Sequence, residues 1–226
     1  MMTRPYVLLS VATSIDGYID DTSPERLLLS NSADFDRVDQ VRAESDAIMI
    51  GAGTMRADNP RLLVNSQDRR AARVAAGKPA YPLKVAVTAS GDLDPELRFW
   101  HHGDAKVAYT TDTGAEKLRA RLDGLADVVS LGETVDFGRL LDDLGGRGVT
   151  QLMVEGGGSI HTAFLAQDLA DELHLAVAPL LVGEAGAPRF LSPAQYPGGP
   201  TSRMRLLEAR VVGDVVLFRY APKERK

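Results

Sequence analysis

The sequence predicts an α/β domain: a mixed, mostly parallel sheet flanked by helices, with an antiparallel hairpin at its C-terminal end. Three observations predict it. Short apolar runs of strand length alternate with stretches of helical spacing over most of the chain, as in successive β–α–β units. Two of those runs end in glycine clusters that lead straight into helices. The last two β-rich runs are separated only by Gly213-Asp214, a tight-turn pair.

The elements follow in order. Tyr6 to Ala12 is an apolar strand that ends in Thr13-Ser14-Ile15-Asp16-Gly17, which has turn chemistry. Asp34 to Glu44 places Phe35, Val38 and Val41 on one helix face, with Ser32 as the N-cap. Ala47 to Ile50 is a buried-type strand running into Gly51-Ala52-Gly53. A short helical stretch, Thr54 to Ala57, then stops before Asn59-Pro60. Residues 65–81 are polar and Arg-rich and read as a surface loop with about one helical turn, Arg69, Arg70 and Arg73 forming its solvated face. Leu83 to Thr88, Lys106 to Thr110 and Asp127 to Leu131 are strands, with a helix over Gly114 to Leu122. Val135 to Leu144 is a helix with Phe137, Leu140, Leu141 and Leu144 on one face, closed by Gly145-Gly146. Gln151 to Val154 is a strand, followed by Glu155, Gly156-Gly157-Gly158 and a short helix over Ser159 to Leu165. Leu173 to Ala178 is the next strand, and Arg205 to Val212 with Val215 to Tyr220 makes the hairpin. No linker or repeat interrupts the pattern, so residues 1–226 read as a single domain.

Composition narrows the function. With 44% hydrophobic and 25% charged residues, the chain is globular rather than disordered. It has no cysteine, which excludes disulfides, thiolate metal sites and a cysteine-ligated zinc deaminase centre. The net charge of −5 argues against nucleic acid, whose phosphates need a basic face. It does not argue against a small phosphorylated ligand. No run reaches the length of a membrane span and the N-terminus has no signal-type pattern, so a cytoplasmic protein is expected. Lys223-Glu224-Arg225-Lys226 reads as a solvated tail.

The chemistry concentrates at the two strand–glycine–helix junctions. A glycine turn at the end of a strand lets a ligand approach the backbone, and the helix start behind it offers unpaired N–H groups and a positive dipole end. Two such junctions suit a ligand with two phosphates or two ends. Neither is a full dinucleotide fingerprint, because Arg56 stands where the third glycine would fall, and there is no P-loop. Asp16 reads either as an Asx-turn residue or as an acid or orienting group at the mouth of the sheet. Asp58-Asn59-Pro60 can be read simply as a helix stop. Glu155 ends an apolar strand beside the phosphate-type turn, a costly place for a carboxylate unless it meets a donor on the ligand. His161 and His174 read as surface or helix-face residues and His101-His102 as loop residues. None of them has metal-ligand spacing. Ser159 lacks a nucleophile-elbow context and reads as an N-cap.

Taken in order, four stretches resemble the pyrimidine reductases of riboflavin biosynthesis, both the stand-alone enzymes and the reductase domain of the bifunctional ones. They are residues 12–17 (Ala-Thr-Ser-Ile-Asp-Gly), residues 51–62 (Gly-Ala-Gly-Thr-Met-Arg-Ala-Asp-Asn-Pro-Arg-Leu), Val154-Glu155-Gly156-Gly157, and Asp171-Glu172-Leu173 with Ala178-Pro179 and Leu181-Val182-Gly183. The second and third are the specific ones. The resemblance implies a dihydrofolate-reductase-like fold, NADPH as cofactor and a homodimer. It implies that Thr54 and Asp58 contact NADPH, that Gly156, Gly157 and Gly158 cradle its pyrophosphate, and that Thr88 or Ser90 lies near the adenosine 2′-phosphate. Ser30, Leu62 and Glu155 would line the substrate site, with Asp16 close to the reacting sugar; Asp16 and Glu155 are the candidate catalytic pair. The chain departs from the family where Ser10 replaces a frequent Lys and Asn65 a frequent Arg, and Arg56 or Arg61 would supply the missing charge toward a substrate phosphate. The implied reaction reduces a ribosylamino group on a pyrimidine phosphate to ribitylamino, by hydride transfer to C1′ of the ring-opened sugar imine. No deaminase half is expected. Three other readings stay open: reduction of another small heterocycle such as a pterin or dihydrofolate, a nucleotide-binding module without catalysis, and a structural protein that binds no nucleotide.

Overall fold

A computed structural model describes residues 4–222; the tail expected at Lys223–Lys226 lies outside them. Among the described residues are nine strands and seven helices. Parallel strand pairs combine with an antiparallel C-terminal hairpin, the mixed, mostly parallel sheet expected. The chain divides into two compact units, each drawn from two stretches of sequence.

The first unit holds the residues up to Tyr6 and Asp39–Met153. Its strands β2 (Ala47–Gly51), β3 (Leu83–Val87), β4 (Lys106–Thr110) and β5 (Asp127–Ser130) pair in parallel in the order β5-β4-β3-β2. β2 is buried along its whole length, because an all-parallel sheet is covered on both faces. Helices α2 (Ala52–Asp58), α3 (Gln67–Ala75), α4 (Arg98–His101), α5 (Asp112–Arg121) and α6 (Phe137–Gly146) belong to this unit. Ile48, Ile50, Met55, Leu62, Phe99 and Trp100 share one apolar cluster, and the Phe99 and Trp100 rings meet edge-on at 4.7 Å. α6 buries the four residues expected from its spacing, Phe137, Leu140, Leu141 and Leu144. Asp46 staples the unit at one point. It accepts from Lys78 Nζ (2.7 Å) and from the hydroxyl (2.5 Å) and N–H (3.0 Å) of Thr150, and against the cost of burial these donors hold its pKa down at about 2.

The second unit holds Val7–Val38 and Val154 onward. β1 (Tyr6–Thr13) lies parallel to β7 (Glu172–Val177), and β9 (Val215–Ala221) pairs antiparallel with both β7 and β8 (Arg205–Val212). β6 (Gln151–Gly156) starts in the first unit and ends in the second, where α7 (Gly158–Ala166) follows it.

Several expectations are corrected. The Arg-rich stretch of residues 65–81 contains α3, nine residues long and capped by Ser66, whose side chain accepts from Arg69 N. Arg73 is not on a solvated face. It is buried and donates to the carbonyls of Ala43, in the last turn of a helix, of Ser45 just beyond that helix, and of Pro79, groups that need a donor. α1 (Ser32–Glu44) starts earlier than expected, and its cap is Asn31, whose Oδ1 accepts from Asp34 N, so Ser32 lies inside the helix. Its buried face is also different: Phe35 is 46% exposed, while Asp34 and Arg37 are buried. Ser159 likewise lies inside α7, whose N-cap is Gly157. His161 and His174 are both buried, and His101 closes the short helix α4.

Candidate active site

In the first unit, Thr54, Thr88 and Ser90 lie just beyond the C-terminal ends of parallel strands. Gly51, the last residue of β2, stands in register with Val87, the last of β3. Thr54 in the first turn of α2 and the turn holding Thr88 and Ser90 therefore leave from adjacent strand ends, where open α/β sheets bind ligands. Thr88 is buried and its N–H donates to Tyr109 O. Ser90 is exposed, and its carbonyl accepts from Lys117 Nζ. Arg56 reaches back to Asp92 O (2.9 Å). Asp58 ends α2, and Asn59 caps it in the left-handed conformation. Arg61 is exposed. Leu62 is buried with φ +51°, a strained setting for a side chain with a Cβ.

In the second unit, β1 and β7 end side by side, Thr13 against Val177. Asp16 follows in the turn after β1. Its carboxylate accepts from Ser14 Oγ (2.6 Å), Val182 N (3.1 Å) and Gly183 N (2.8 Å), so it ties the β1 turn to the segment after β7. Those donors, the Ser14 hydroxyl first, hold its pKa below the usual carboxylate value. Asp16 organises this turn, and the same contacts favour its ionised form. Glu155 is half-buried near the end of β6. Gly156 has φ +132°, a conformation that side chains rarely adopt, and the Gly156–Gly157 peptide is cis. At Gly158 a Cβ would meet Arg189 O at 2.7 Å and Phe190 O at 3.2 Å, so this glycine is demanded by the chain's own backbone.

α3, α5 and α6 are capped by the side chains of Ser66, Thr111 and Asp136. α2, α4 and α7 start with no side-chain cap, and of these α2 and α7, which start at Gly51 and Gly157, follow the glycine junctions. Their first-turn N–H groups are the donors an anionic ligand would use.

Ser30 heads a chain of polar contacts that the sequence did not reveal. Its Oγ donates to Asp34 (2.7 Å), and Asp34 pairs with Arg37 (2.7 Å). Arg37 lies 3.5 Å from His174 Nδ1, while His174 Nε2 and Arg219 Nε both reach Glu172 Oε1, at 2.8 and 2.6 Å. Residues far apart in sequence make this network, and only their alternation of charge hints at it.

A family model described as the RibD C-terminal domain matches residues 5–218. The chain belongs to the riboflavin pyrimidine reductase family. Among its relatives, the 2,5-diamino-6-ribosylamino-4(3H)-pyrimidinone 5′-phosphate reductase of Archaeoglobus fulgidus is 39% identical over 187 residues, 82% of this chain and 85% of that one. The riboflavin biosynthesis protein RibD of Chlamydia muridarum is 30% identical over 217 residues; the match spans 94% of this chain but 56% of that protein. The crystal structure of a bifunctional deaminase/reductase from Thermotoga maritima superposes with a TM-score of 0.79 at 22% identity, covering 97% of this chain and 57% of that one, and shares the fold. As a member of a reductase family, the pyrimidine reductase is an oxidoreductase that requires a nicotinamide cofactor. No helix among its described residues is long and apolar enough to cross a membrane.

Lys84, beside the segment that carries Arg61 and Leu62, belongs to none of the motifs in the sequence. It is a lone lysine inside the apolar run Leu83–Val87, 1% exposed, and its Nζ donates to Arg61 O (2.7 Å), Phe99 O and His102 O (3.0 Å). A single cation in an otherwise apolar strand run was the available sign.

Proposed function

We propose that the chain is an NADPH-dependent reductase that converts the ribosylamino group of a pyrimidine 5′-phosphate to a ribitylamino group, working as one reductase domain in a cytoplasmic homodimer. The observation that carries the reading is the pair of side-chain-free helix starts at Gly51 and Gly157, in a chain 39% identical to a reductase named for that substrate.

The donor set fits a nicotinamide dinucleotide. The first-turn N–H groups of α7 behind Gly156, Gly157 and Gly158 would hold the pyrophosphate, with Thr54 and Asp58 at the start and end of α2 as further contacts. Thr88 and Ser90 would face the adenosine end. When bound, the nicotinamide supplies the hydride that reduces C1′ of the opened sugar.

The chain's own groups hold the acceptor. Asp16, kept ionised by its three donors, orients the sugar hydroxyls and does not serve as the proton donor. Glu155 accepts a hydrogen bond from the substrate beside it. The Ser30 hydroxyl, its proton committed to Asp34, presents its lone pairs. Arg56 and Arg61 supply positive charge toward the phosphate, and Leu62 packs the pyrimidine. Orientation is the protein's contribution, because donor and acceptor carbons must approach to roughly 3–3.5 Å.

The test follows the loss of nicotinamide absorbance with the deaminated and the non-deaminated ribosylaminopyrimidine 5′-phosphates, with dihydrofolate as comparison, and with NADPH against NADH. Oxidation of NADPH by one of the pyrimidines is expected. Binding of NADPH with no oxidation by either pyrimidine would overturn the reading.

A further inference from the structure

The connection between α2 and α3, residues 59–66, has no regular structure, yet its backbone is taken up by side chains. Lys84 Nζ donates to Arg61 O, Arg42 Nη1 to Leu63 O (2.9 Å), and Arg70 Nη1 to Val64 O (2.9 Å) and Asn65 O (2.6 Å). Asp39 accepts from Asn65 N (2.5 Å) and Ser66 N (3.2 Å). Between Arg61 and Leu63 lies Leu62, buried and at φ +51°. A side chain persists there only where the surroundings over-determine the backbone, and these partners do so.

Lys84 differs from the other cations of this clamp. The guanidinium groups of Arg42 and Arg70 keep their charge at any working pH. Lys84 is an amine buried against the Phe99 ring, with its Nζ 4.2 Å from the ring centre, and it serves three carbonyls. As an ammonium it has three N–H donors, one for each; as a neutral amine it has two.

We propose that Lys84 is a positioning residue for the reductase: its ammonium locks the Arg61–Leu62 step of the connection and thereby sets the affinity for the pyrimidine phosphate, and loss of its proton releases that step. The proposal rests on the reading above, in which Arg61 and Leu62 meet the substrate. Burial, with Lys106 on the neighbouring strand acting in the same direction, pulls the Lys84 pKa down to about 7. His102, whose carbonyl takes one of the Lys84 bonds, is faced in turn by Lys84, Arg61, Arg98 and His101, and Lys106 by Asp104. Arg61, Arg98 and His101 push His102 the same way as its burial does, below its ordinary value, so His102 titrates on the acid side of Lys84.

Two readouts test this. One is KM for the pyrimidine and for NADPH, measured from about pH 6 to about pH 9. The other is hydrogen exchange of the amides of residues 59–66 over the same range, which needs no substrate. In the wild-type protein, the pyrimidine KM should rise about tenfold through a step near the Lys84 pKa, by the sensitivity of turnover to small displacements, with little change in the NADPH KM. Protection of residues 59–66 should fall through the same step. Lys84→Arg, permanently charged, should keep the low KM and the protection without the step, and comparison with it cancels titration of the substrate phosphate. Lys84→Met should show the high KM and weak protection at every pH, and His102→Gln should leave the step in place. A step that survives in Lys84→Arg, or wild-type KM and protection in Lys84→Met, would overturn the proposal. If no pyrimidine is turned over, the functional reading fails, while hydrogen exchange still decides whether Lys84 locks the connection.

Discussion

His161 shows what a single buried group can do to stability. It is 1% exposed, packs edge-on against Phe190 with ring centres 5.6 Å apart, and has no hydrogen-bond partner at either ring nitrogen among the described residues. Burial alone lowers its pKa from 6.5 to about 4. The folded chain keeps this imidazole neutral where the unfolded chain protonates it. Above pH 6.5 the group is neutral in both states and adds no pH dependence. Stability then falls as pH drops from 6.5 toward 4, by up to about 3 kcal/mol. His161→Phe should flatten that acid loss, as measured by urea unfolding at about pH 5 and about pH 7.5. An undiminished acid loss in the variant would place the sensitivity elsewhere. Asp16 makes a different prediction. Its two oxygens hold Ser14, Val182 and Gly183, so Asp16→Asn, which keeps one accepting oxygen and adds donors, should lower turnover about tenfold or more and also lower the melting temperature. Glu155→Gln should lower turnover as well. Near-normal turnover in both variants would remove the pair from the mechanism.

At the scale of elements, the two glycine junctions behave differently, although they look alike in sequence. A Cβ at Gly158 would strike the carbonyls of Arg189 and Phe190, so Gly158→Ala should destabilise the fold by about 1–3 kcal/mol as the segment shifts. A Cβ at Gly53 meets nothing within 4 Å. Gly53→Ala, inside α2, should therefore stabilise the fold by about 0.5–1 kcal/mol through helix propensity. If the dinucleotide approaches this turn, the same substitution raises the KM for NADPH. Higher thermal stability with an unchanged KM would show that Gly53 is free for reasons other than ligand approach. Most elements were legible in the sequence, because hydrophobic spacing and glycine stops mark them locally; α6 with its four buried apolar residues is the clearest. α3 was not legible, because its buried residue is Arg73, whose carbonyl partners Ala43 and Ser45 are remote in sequence. The site was legible in part. The glycine turns, Asp16 and Glu155 stand out by residue type, whereas Lys84 matters only through carbonyls that the fold brings to it.

At the scale of the whole molecule, the exposed apolar side chains are concentrated in the second unit. Ile15, Leu28, Phe35, Leu181, Leu206 and Val211 are between 46% and 72% exposed. β8 bonds to β9 on one side and ends the strand order, so among the described residues its other edge pairs with no strand and carries Val211. The proposed homodimer would cover such an edge. Val211→Glu should then convert a dimer to a monomer in sedimentation, with secondary structure retained. A wild-type protein that sediments as a monomer would remove the dimer from the reading.

The sequence by itself determined the α/β class, the order of the elements, the C-terminal hairpin and the two glycine junctions, and it carried the family resemblance. These are local properties: spacing of apolar residues, backbone freedom at glycine, and short motifs read in order. The tertiary structure alone decided which charged residues lie inside. α1 turns Asp34 and Arg37 inward and leaves Phe35 in solvent because His174 and Glu172 on β7 and Arg219 on β9 complete the charges there. Lys84 stays buried because three carbonyls from distant parts of the chain converge on it. A buried charge is tolerated only with its partners in place, and those partners come together only when the chain has folded.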